Sequence, residues 1–230
     1  LPHLEFIVSQ PNNDYTDNAL LKLARMRYDA KSYEEAAQHY ERLFEITENN
    51  MIRIEALEGG MKSRYFNKDN ERATELARQL LQIPDISRKQ QNQADYILGM
   101  SLFEKGSYSE AKPYLEECAA NDSNELGAES EYFAIRCCYG LQKYDEAESK
   151  VFHISEHFSS QSYWVARAFI TLSDVYVAKD NVFQAKETLK SIIENYPGED
   201  LKQEAQNKLN EIEKAYSLSC YINSDDVIYQ

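Results

Sequence analysis

The segment VFHISEHF, residues 151–158, places two histidines and a glutamate close together. Some zinc peptidases use the same order, His-x-x-Glu-His, to hold a metal ion and to activate a water molecule. Because residues four apart share one face of a helix, the imidazoles of His153 and His157 could bind one ion, with Glu156 beside them as a general base. These three residues raise the hypothesis of a zinc hydrolase.

Other residue types that could do chemistry show no comparable pattern. Gly59 and Gly60 lack both the preceding strand and the following Lys-Ser/Thr of a phosphate-binding loop. The four cysteines have no Cys-x-x-Cys spacing, which argues against a zinc ribbon or a disulfide framework, and they are predicted to fill the core: Cys118, Cys137, Cys138 and Cys220. No catalytic residue and no cofactor is predicted from these residues.

The composition indicates a helical protein and narrows the kinds of partner. The chain has only 7 Gly and 5 Pro in 230 residues, so little or no sheet is expected. Its formal net charge is −14, and nucleic acid is not an expected partner because phosphate binding depends on Lys and Arg. The best candidate for a membrane span, YWVARAFITL, is interrupted by Arg167 and falls short of the roughly 18 residues required.

Self-comparison of the sequence reveals five copies of one unit. The segment YEEAAQHYERLF begins at Tyr33 and returns as YSEAKPYLEECA at Tyr108 and as YDEAESKVFHIS at Tyr144. Two weaker copies, NERATELARQLL and VFQAKETLKSII, fill the gaps. One alanine recurs at spacings of 37, 38, 36 and 38 residues: Ala36, Ala73, Ala111, Ala147 and Ala185. A second stretch with helical periodicity precedes each copy, so each unit is predicted to be two helices joined by a short turn.

The recurring residue types suit close packing of the two helices. A small residue late in the first helix, such as Gly99, lets it approach the second helix, which for this unit begins near Ala111. An aromatic residue at the turn, Tyr33, Tyr108 or Tyr144, is expected to cover the joint. A single pair cannot bury both of its faces, so neighbouring pairs must stack.

These repeats resemble the tetratricopeptide repeat (TPR) family. Its pattern of Leu-Gly, Tyr, Gly, Tyr-x-x-Ala and a terminal Pro is nearly complete in LGMSLFEKGSYSEA and partial elsewhere between Asn18 and Pro197. The periods exceed the family's usual length of about 34 residues, and Met61 and Ile135 stand where the family has a small residue. The resemblance implies an all-α fold, a right-handed superhelical solenoid of antiparallel helix pairs.

Two longer segments also look like TPR proteins of the bacterial cell envelope, of the Tol-Pal-associated and outer-membrane-assembly types. They are PNNDYTDNALLKLA and YWVARAFITLSDVYVAKDNVFQAKETLKSIIENYPGE. This resemblance implies the bacterial periplasm or cell envelope rather than the cytoplasm.

The repeat register divides the chain. Its N-terminal segment reads like the end of a preceding repeat, with Pro11 where the repeat's terminal proline falls, so the array is expected to extend upstream. Self-association through this end is an open alternative. The predicted boundaries are 1–16 for the end of the preceding repeat, 17–50, 51–87, 88–123, 124–160 and 161–198 for five TPR units, 199–218 for a capping helix and 219–230 for a tail.

The register also changes the interpretation of the histidine motif. HISEH falls in the second half of a second helix, aligned with LFEIT of the first unit and SIIEN of the fifth, where the family has no catalytic residue. A peptidase would need a third ligand, and His3 and His39 lie in other units. We therefore interpret the motif as part of a helix surface and predict no metal site.

The resemblance implies a concave groove, lined by the first helices, that binds peptides or extended segments of partners. In the family's register, four aromatic residues form one column: Tyr28, Tyr65, Phe103 and Tyr139. The cations Arg25, Lys62 and Arg136 belong to a second column, together with Met100 and Asp174, and Tyr96 and Tyr132 belong to a third. Aromatic residues and arginines are typical of binding hot spots. The alternative is that the aromatic residues only pack between neighbouring helices.

A carboxylate clamp for chaperone tails is disfavoured, because other residues occupy its Lys and Asn positions: Leu21, Arg25, Gly59, Gln93 and Ile97. The sequence thus predicts a non-enzymatic scaffold that binds a protein or peptide partner. One alternative is a regulatory or docking region of a larger multidomain enzyme, and another is the zinc hydrolase.

Overall fold

The computed structural model describes residues 2–225, with side chains up to Tyr216, and every regular element in this range is an α-helix. The helices are α1 (Pro2–Ser9), α2 (Thr16–Asp29), α3 (Tyr33–Ile46), α4 (Asn50–Phe66), α5 (Asn70–Leu81), α6 (Arg88–Glu104), α7 (Tyr108–Asn121), α8 (Glu125–Gly140), α9 (Tyr144–His157), α10 (Ser162–Ala178), α11 (Val182–Asn195) and α12 (Glu199–Asp225). The predicted fold class, an all-α solenoid of TPR-like helix pairs, is confirmed.

The helices divide into two compact parts, which we call the N-terminal block (Leu1–Asn121) and the C-terminal block (Asp122–Gln230). In each block every helix packs against the next along the chain. The first helices of the pairs, α2, α4 and α6 in one block and α8 and α10 in the other, also contact one another. We call the side that they form the first-helix face of each block. The last helix, α12, continues past Leu218 to Asp225; the rest of the predicted tail and the side chain of Cys220 lie outside the described residues.

The repeated alanines form the centre of each helix pair. All five are fully buried, with no exposed surface: Ala36, Ala73, Ala111, Ala147 and Ala185. The described cysteines, Cys118, Cys137 and Cys138, are also buried and carry free thiols, as predicted. A methyl group added at Gly99 would lie only 2.6 Å from Leu115 Cγ, so α6 and α7 approach as closely as the repeat register predicts.

The turn inside each helix pair has the same geometry in all five pairs. One residue per turn adopts a left-handed backbone conformation, with φ between 58° and 77°: Lys31, Lys68, Gly106, Gln142 and Asp180. Each turn carries the two hydrogen bonds of a Schellman motif; in the first pair, Ser32 N donates to Arg27 O and Lys31 N to Tyr28 O. The carbonyl equivalent to that of Tyr28 belongs to Tyr65, Phe103 and Tyr139 in the next three pairs. The predicted aromatic column therefore has a fixed position, one residue before the end of each first helix.

No helix within residues 2–225 is both long and apolar enough to cross a membrane.

Candidate partner-binding site

The aromatic column lies beside the turns and is half-buried. In the N-terminal block, the ring of Tyr28 lies 5.6 Å from that of Tyr33, and Phe103 lies 5.4 Å from Tyr108. In the C-terminal block, Tyr139 lies 5.9 Å from Tyr144. Each of these three rings therefore packs on the turn tyrosine of its own helix pair and keeps part of its surface accessible. Tyr65, whose pair has Asn70 at that position, contacts Phe66 instead. Packing and ligand binding are compatible roles for such rings.

Five rings of the N-terminal block join into one surface, which we call the aromatic cluster: Tyr28, Tyr33, Tyr65, Phe66 and Tyr96. Phe66 is 49% exposed, stacks on Tyr33 at 5.3 Å and meets Tyr28 and Tyr65 edge-on. Tyr65 in turn meets Tyr96 at 6.4 Å. Sequence reasoning missed Phe66 because it considered only one position in each repeat, which Tyr65 occupies in this unit. The two adjacent aromatic residues at the end of α4 could have indicated a larger aromatic surface.

The two predicted cations of the N-terminal block are already paired with carboxylates. Arg25 donates from Nε to Glu55 Oε1 at 2.7 Å, and Lys62 Nζ lies 2.6 Å from Glu58 Oε1. Both carboxylates come from α4, as does Lys62. These pairs cancel much of the positive charge of the two predicted cations.

A cavity of about 410 Å³ adjoins the aromatic cluster at Tyr28. Tyr28 and Lys62 are among its lining residues, and the others are Tyr40, Met51, Glu55, Glu58, Gly59 and Gln90. Tyr40 reaches this cavity from the second helix α3 because Gly59 has no side chain: a Cβ there would lie 2.4 Å from Tyr40 Cζ. Burial, with a smaller contribution from the negative charge of Glu55, raises the pKa of Tyr40 to about 12. Tyr40 therefore remains a neutral phenol at physiological pH.

The C-terminal block places Tyr132 differently from the prediction. Its side chain is only 1% exposed and packs against Phe133 and Trp164, so it presents no surface to a partner. Its hydroxyl oxygen accepts hydrogen bonds from Arg136 and from Arg167, each at 2.9 Å. Arg136 is one of the predicted site residues and is partly buried. Sequence reasoning treated Arg167 only as an interruption of an apolar run. Its position seven residues, about two helical turns, before Asp174 of the second column was the available signal.

A second cavity, of about 500 Å³, lies between α10 and α11 in the C-terminal block. Its lining includes Val165, Phe169, Thr188 and Tyr196 and none of the predicted site residues. Because Phe169 and Arg167 are two residues apart on a helix, they project to nearly opposite sides of α10. This cavity therefore belongs to the side of the second helices.

The histidine motif forms contacts that do not resemble a metal centre. The rings of His153 and His157 stack at 4.0 Å, and His157 Nδ1 lies 3.1 Å from the carbonyl oxygen of His153. His153 Nδ1 lies 3.2 Å from Oε1 of Glu131, a buried carboxylate of α8 that also lies 3.4 Å from Lys150. Among the side chains that the structure describes, no group of three or more His, Cys, Asp or Glu is placed to hold a metal ion.

We expect metal to be irrelevant to this protein's stability. Protein purified without added zinc should contain far less than one zinc ion per chain by elemental analysis, and a chelator should leave its melting temperature unchanged. The physical reason is that binding at His153 and His157 would have to disrupt the ring stack and the contact with Glu131. Stoichiometric zinc, with a chelator-induced fall of several degrees in the melting temperature, would restore the hydrolase hypothesis.

Comparisons with known proteins agree with this architecture. Residues 67–154 match the family described as anaphase-promoting complex, cyclosome, subunit 3, and residues 18–46 and 166–198 match a tetratricopeptide repeat family. A comparison with curated proteins gives no significant match.

Several solved structures share the fold. YrrB, described as a TPR protein with an unusual peptide-binding site, has a TM-score of 0.66 at 20% identity, over 89% of this chain and 97% of that chain. MamA from Desulfovibrio magneticus RS-1, from residue 41 to its end, has a TM-score of 0.65 at 18% identity, over 79% and 95% of the two chains. The TPR-like repeats of a putative kinesin light chain from Podosopora anserina have a TM-score of 0.62 at 15% identity, over 85% and 100%.

The repeated helix pairs and their common turns define the class: this is an all-α helical repeat protein. More particularly, residues 18–46 and 166–198, near the two ends of the array, are similar to tetratricopeptide repeats, and the solved structures with the same fold include TPR proteins. At these identities the solved structures share the fold alone, and what each of them binds is a property of that protein.

Proposed function

We propose that this protein is a non-enzymatic scaffold that binds a peptide or an extended segment of a partner protein along its first-helix faces. The observation that carries the proposal is the aromatic cluster of the N-terminal block, where five rings touch one another and Phe66 remains 49% exposed. Aromatic side chains offer large contact area for little loss of conformational entropy, and they dominate many binding interfaces.

The cavity beside the cluster adds a place for a side chain of the partner. It is about 410 Å³ in volume, and Met51 at its edge is 82% exposed. A flexible, polarisable thioether adapts its shape to different ligands. The description of YrrB as a peptide-binding TPR protein supports the same kind of ligand for a related fold.

The cellular setting is a further part of the proposal. A periplasmic or cell-envelope location rests on the resemblance of the N-terminal and fifth-repeat segments to envelope TPR proteins. The alternative role, a docking region within a larger enzyme, uses the same surface and differs in the domains attached to it. Cell fractionation of the full-length protein tests the proposed location, and the domains of the full-length protein distinguish the two roles.

The proposal predicts that two aromatic residues carry much of the affinity. Peptides selected on the whole chain from a random display library should bind the Tyr65→Ala, Tyr139→Ala double variant about thirtyfold more weakly, a loss of about 2 kcal/mol. Both tyrosines are half-buried near helix ends, so helicity measured by circular dichroism should be nearly unchanged. Affinity is measured by isothermal titration calorimetry.

A matched control uses two exposed aromatic residues on second helices, Phe152 and Phe183, which are 46% and 70% exposed. Their double change to alanine should leave the affinity within about twofold of the wild type, because surface residues outside an interface contribute little. If instead this control abolishes binding and the tyrosine variant retains it, the binding surface is the side of the second helices.

A further inference from the structure

The second-helix side of the C-terminal block carries an exposed ring beside a recess. Phe183, near the start of α11, is 70% exposed. The cavity of about 500 Å³ between α10 and α11 has Val165 and Phe169 in its lining, and α11 contributes Thr188 and Ser191. Thr188 follows Phe183 by five residues, which is about 8 Å along the helix axis. A protruding group and a recess therefore belong to the same helix.

Four exposed residues form one line along α11, which we call the α11 stripe: Phe183, Glu187, Lys190 and Glu194. Residues spaced by three or four positions share one face of a helix. Glu187 also belongs to the lining of the cavity, so the cavity opens beside the stripe. In a twofold dimer the same surface must fit itself, and a ring next to a recess on one face meets that requirement.

The lining of this cavity has the composition of an interface core. Among the described residues that line it, Glu187 alone has a charged side chain, and the others are apolar or carry hydroxyl or amide groups. Depletion of charge together with aromatic residues is typical of the centre of protein–protein interfaces. Phe152 of α9, which is 46% exposed, extends the apolar surface by meeting the ring of Phe169 at 6.4 Å.

The charges of the α11 stripe fit a second copy of α11 in antiparallel orientation. When Glu187 faces Lys190 of the second copy, the twofold symmetry places Lys190 against Glu187 of the second copy. In the same register Phe183, four residues before Glu187, faces Glu194 of the second copy, four residues after Lys190. Glu194 is followed by Asn195, which lines the cavity. One register therefore pairs both charges and brings each ring to the cavity of the other copy.

The ion pair within each copy does not prevent this arrangement. Lys190 Nζ lies 2.8 Å from Glu187 Oε1, yet the two side chains remain 48% and 46% exposed. An ammonium group has three donors and a carboxylate has several acceptor sites. Each group can therefore keep its partner on its own helix and bind a second one across the interface.

We propose that this protein forms a twofold dimer through the α11 stripe, with Phe183 of each copy inserted into the cavity of the other copy. α11 spans 14 residues, about 21 Å, and a surface about 20 Å wide would bury about 800 Å² in total. Stable complexes bury about 1,200 Å² or more, so we expect a weak, reversible dimer with a Kd of about 10 to 100 μM. The proposal places self-association on α11 rather than at the N-terminal end.

The dimer does not depend on the proposed scaffold function. The cavity belongs to the side of the second helices, so dimerisation leaves the first-helix face of the C-terminal block open. If that face binds a partner, a dimer offers it twice, and a partner with two binding segments would be held more tightly than one with a single segment.

Sedimentation equilibrium of the whole chain, from about 2 to about 400 μM, measures the dimer. Phe183→Ala removes the inserted ring and should weaken dimerisation at least about tenfold. Phe6→Ala is the matched control, since Phe6 is 65% exposed on α1 of the N-terminal block, and it should leave the Kd unchanged. Ser191→Trp, at an exposed position of the cavity lining, should fill the recess and weaken the dimer as much as Phe183→Ala does. Thermal melts establish that each variant is folded.

A charge exchange tests the antiparallel register. Glu187→Lys and Lys190→Glu each place like charges together at both contacts, so each variant alone should dimerise at least about tenfold more weakly. In an equimolar mixture of the two variants every charge of one faces the opposite charge of the other, so a heterodimer should form with a Kd within about threefold of the wild type. Sedimentation of a mixture in which one variant carries a fluorescent label at its N-terminus measures this heterodimer. A role in folding alone would not be restored by mixing.

A chain that remains monomeric at about 400 μM overturns the proposal. Dimerisation of Phe183→Ala equal to that of the wild type does so too, as does a mixture of charge variants that associates no more tightly than either variant alone. The affinity of Phe183→Ala for display-selected peptides, measured by isothermal titration calorimetry, should stay within about twofold of the wild type. Loss of the dimer with peptide binding retained therefore leaves the scaffold function standing, and a dimer that binds no peptide leaves only the dimer.

Discussion

Replacing Gly99 with leucine should lower the free energy of unfolding by about 3 kcal/mol or more, at the upper end of the usual range for overpacking. A Cβ at this position would lie 2.6 Å from Leu115 Cγ and 3.3 Å from the backbone nitrogen of Leu115. The side chain of Leu115 is completely buried and the backbone belongs to α7, so neither can move aside cheaply. The two helices must separate, and the contact on which their stacking depends is weakened.

The measurement is a urea titration followed by circular dichroism. Because coupling in a repeat array acts mainly between neighbours, the loss should also broaden the transition. Gly99→Ala and Gly60→Ala make the same substitution at two glycines within helices, so they serve as a matched pair. At Gly60 the nearest atom is Leu76 Cδ1, the end of a side chain, at 3.3 Å, so the gain in helix propensity should leave that variant as stable as the wild type or slightly more so. An unchanged midpoint for Gly99→Leu would refute the contact between α6 and α7.

The success of the sequence in predicting the fold has a simple physical basis. A residue such as Ala111 recurs because a larger side chain would force two helices apart, and repetition makes that local constraint visible without a structure. The turns illustrate the limit of this reasoning. Lys31 and Gly106 occupy equivalent left-handed positions, yet only glycine reveals the backbone conformation from its identity.

The candidate site was less predictable because its chemistry depends on neighbours that are distant in sequence. The register located Arg25 and Arg136 on equivalent positions. It could not tell that Glu55 pairs with the first, or that the second donates to the hydroxyl of Tyr132, which also accepts from Arg167. Register specifies which side of a helix a residue occupies. Which residue pairs with its charge depends on the neighbouring helix. The repeat pattern does not determine the residue type at that position of the neighbouring helix.

Asp95→Asn should stabilise the protein at neutral pH by up to about 3 kcal/mol. Asp95 is 4% exposed, and its Oδ2 atom has no hydrogen-bond partner among the described residues. Burial, together with the negative charge of Glu117, raises the pKa of Asp95 from 3.8 to about 6. One turn earlier on α6, Asn92 Oδ1 is likewise buried and lacks a donor, so a neutral group at position 95 suits this environment better than a carboxylate.

The sign of the pH dependence follows from proton binding. Between about pH 4 and pH 6 the folded chain holds a proton on Asp95 that the unfolded chain has released, so the contribution of this group to stability falls as pH rises through that window and is constant above it. Urea titrations at pH 4.5 and pH 7.5 should therefore show a much larger gain for Asp95→Asn at the higher pH. Asp14→Asn, the same change at an exposed position, controls for the loss of one charge and should alter stability little at either pH. An equal gain for Asp95→Asn at both pH values would mean that the carboxylate of Asp95 is not the group whose ionisation destabilises the fold.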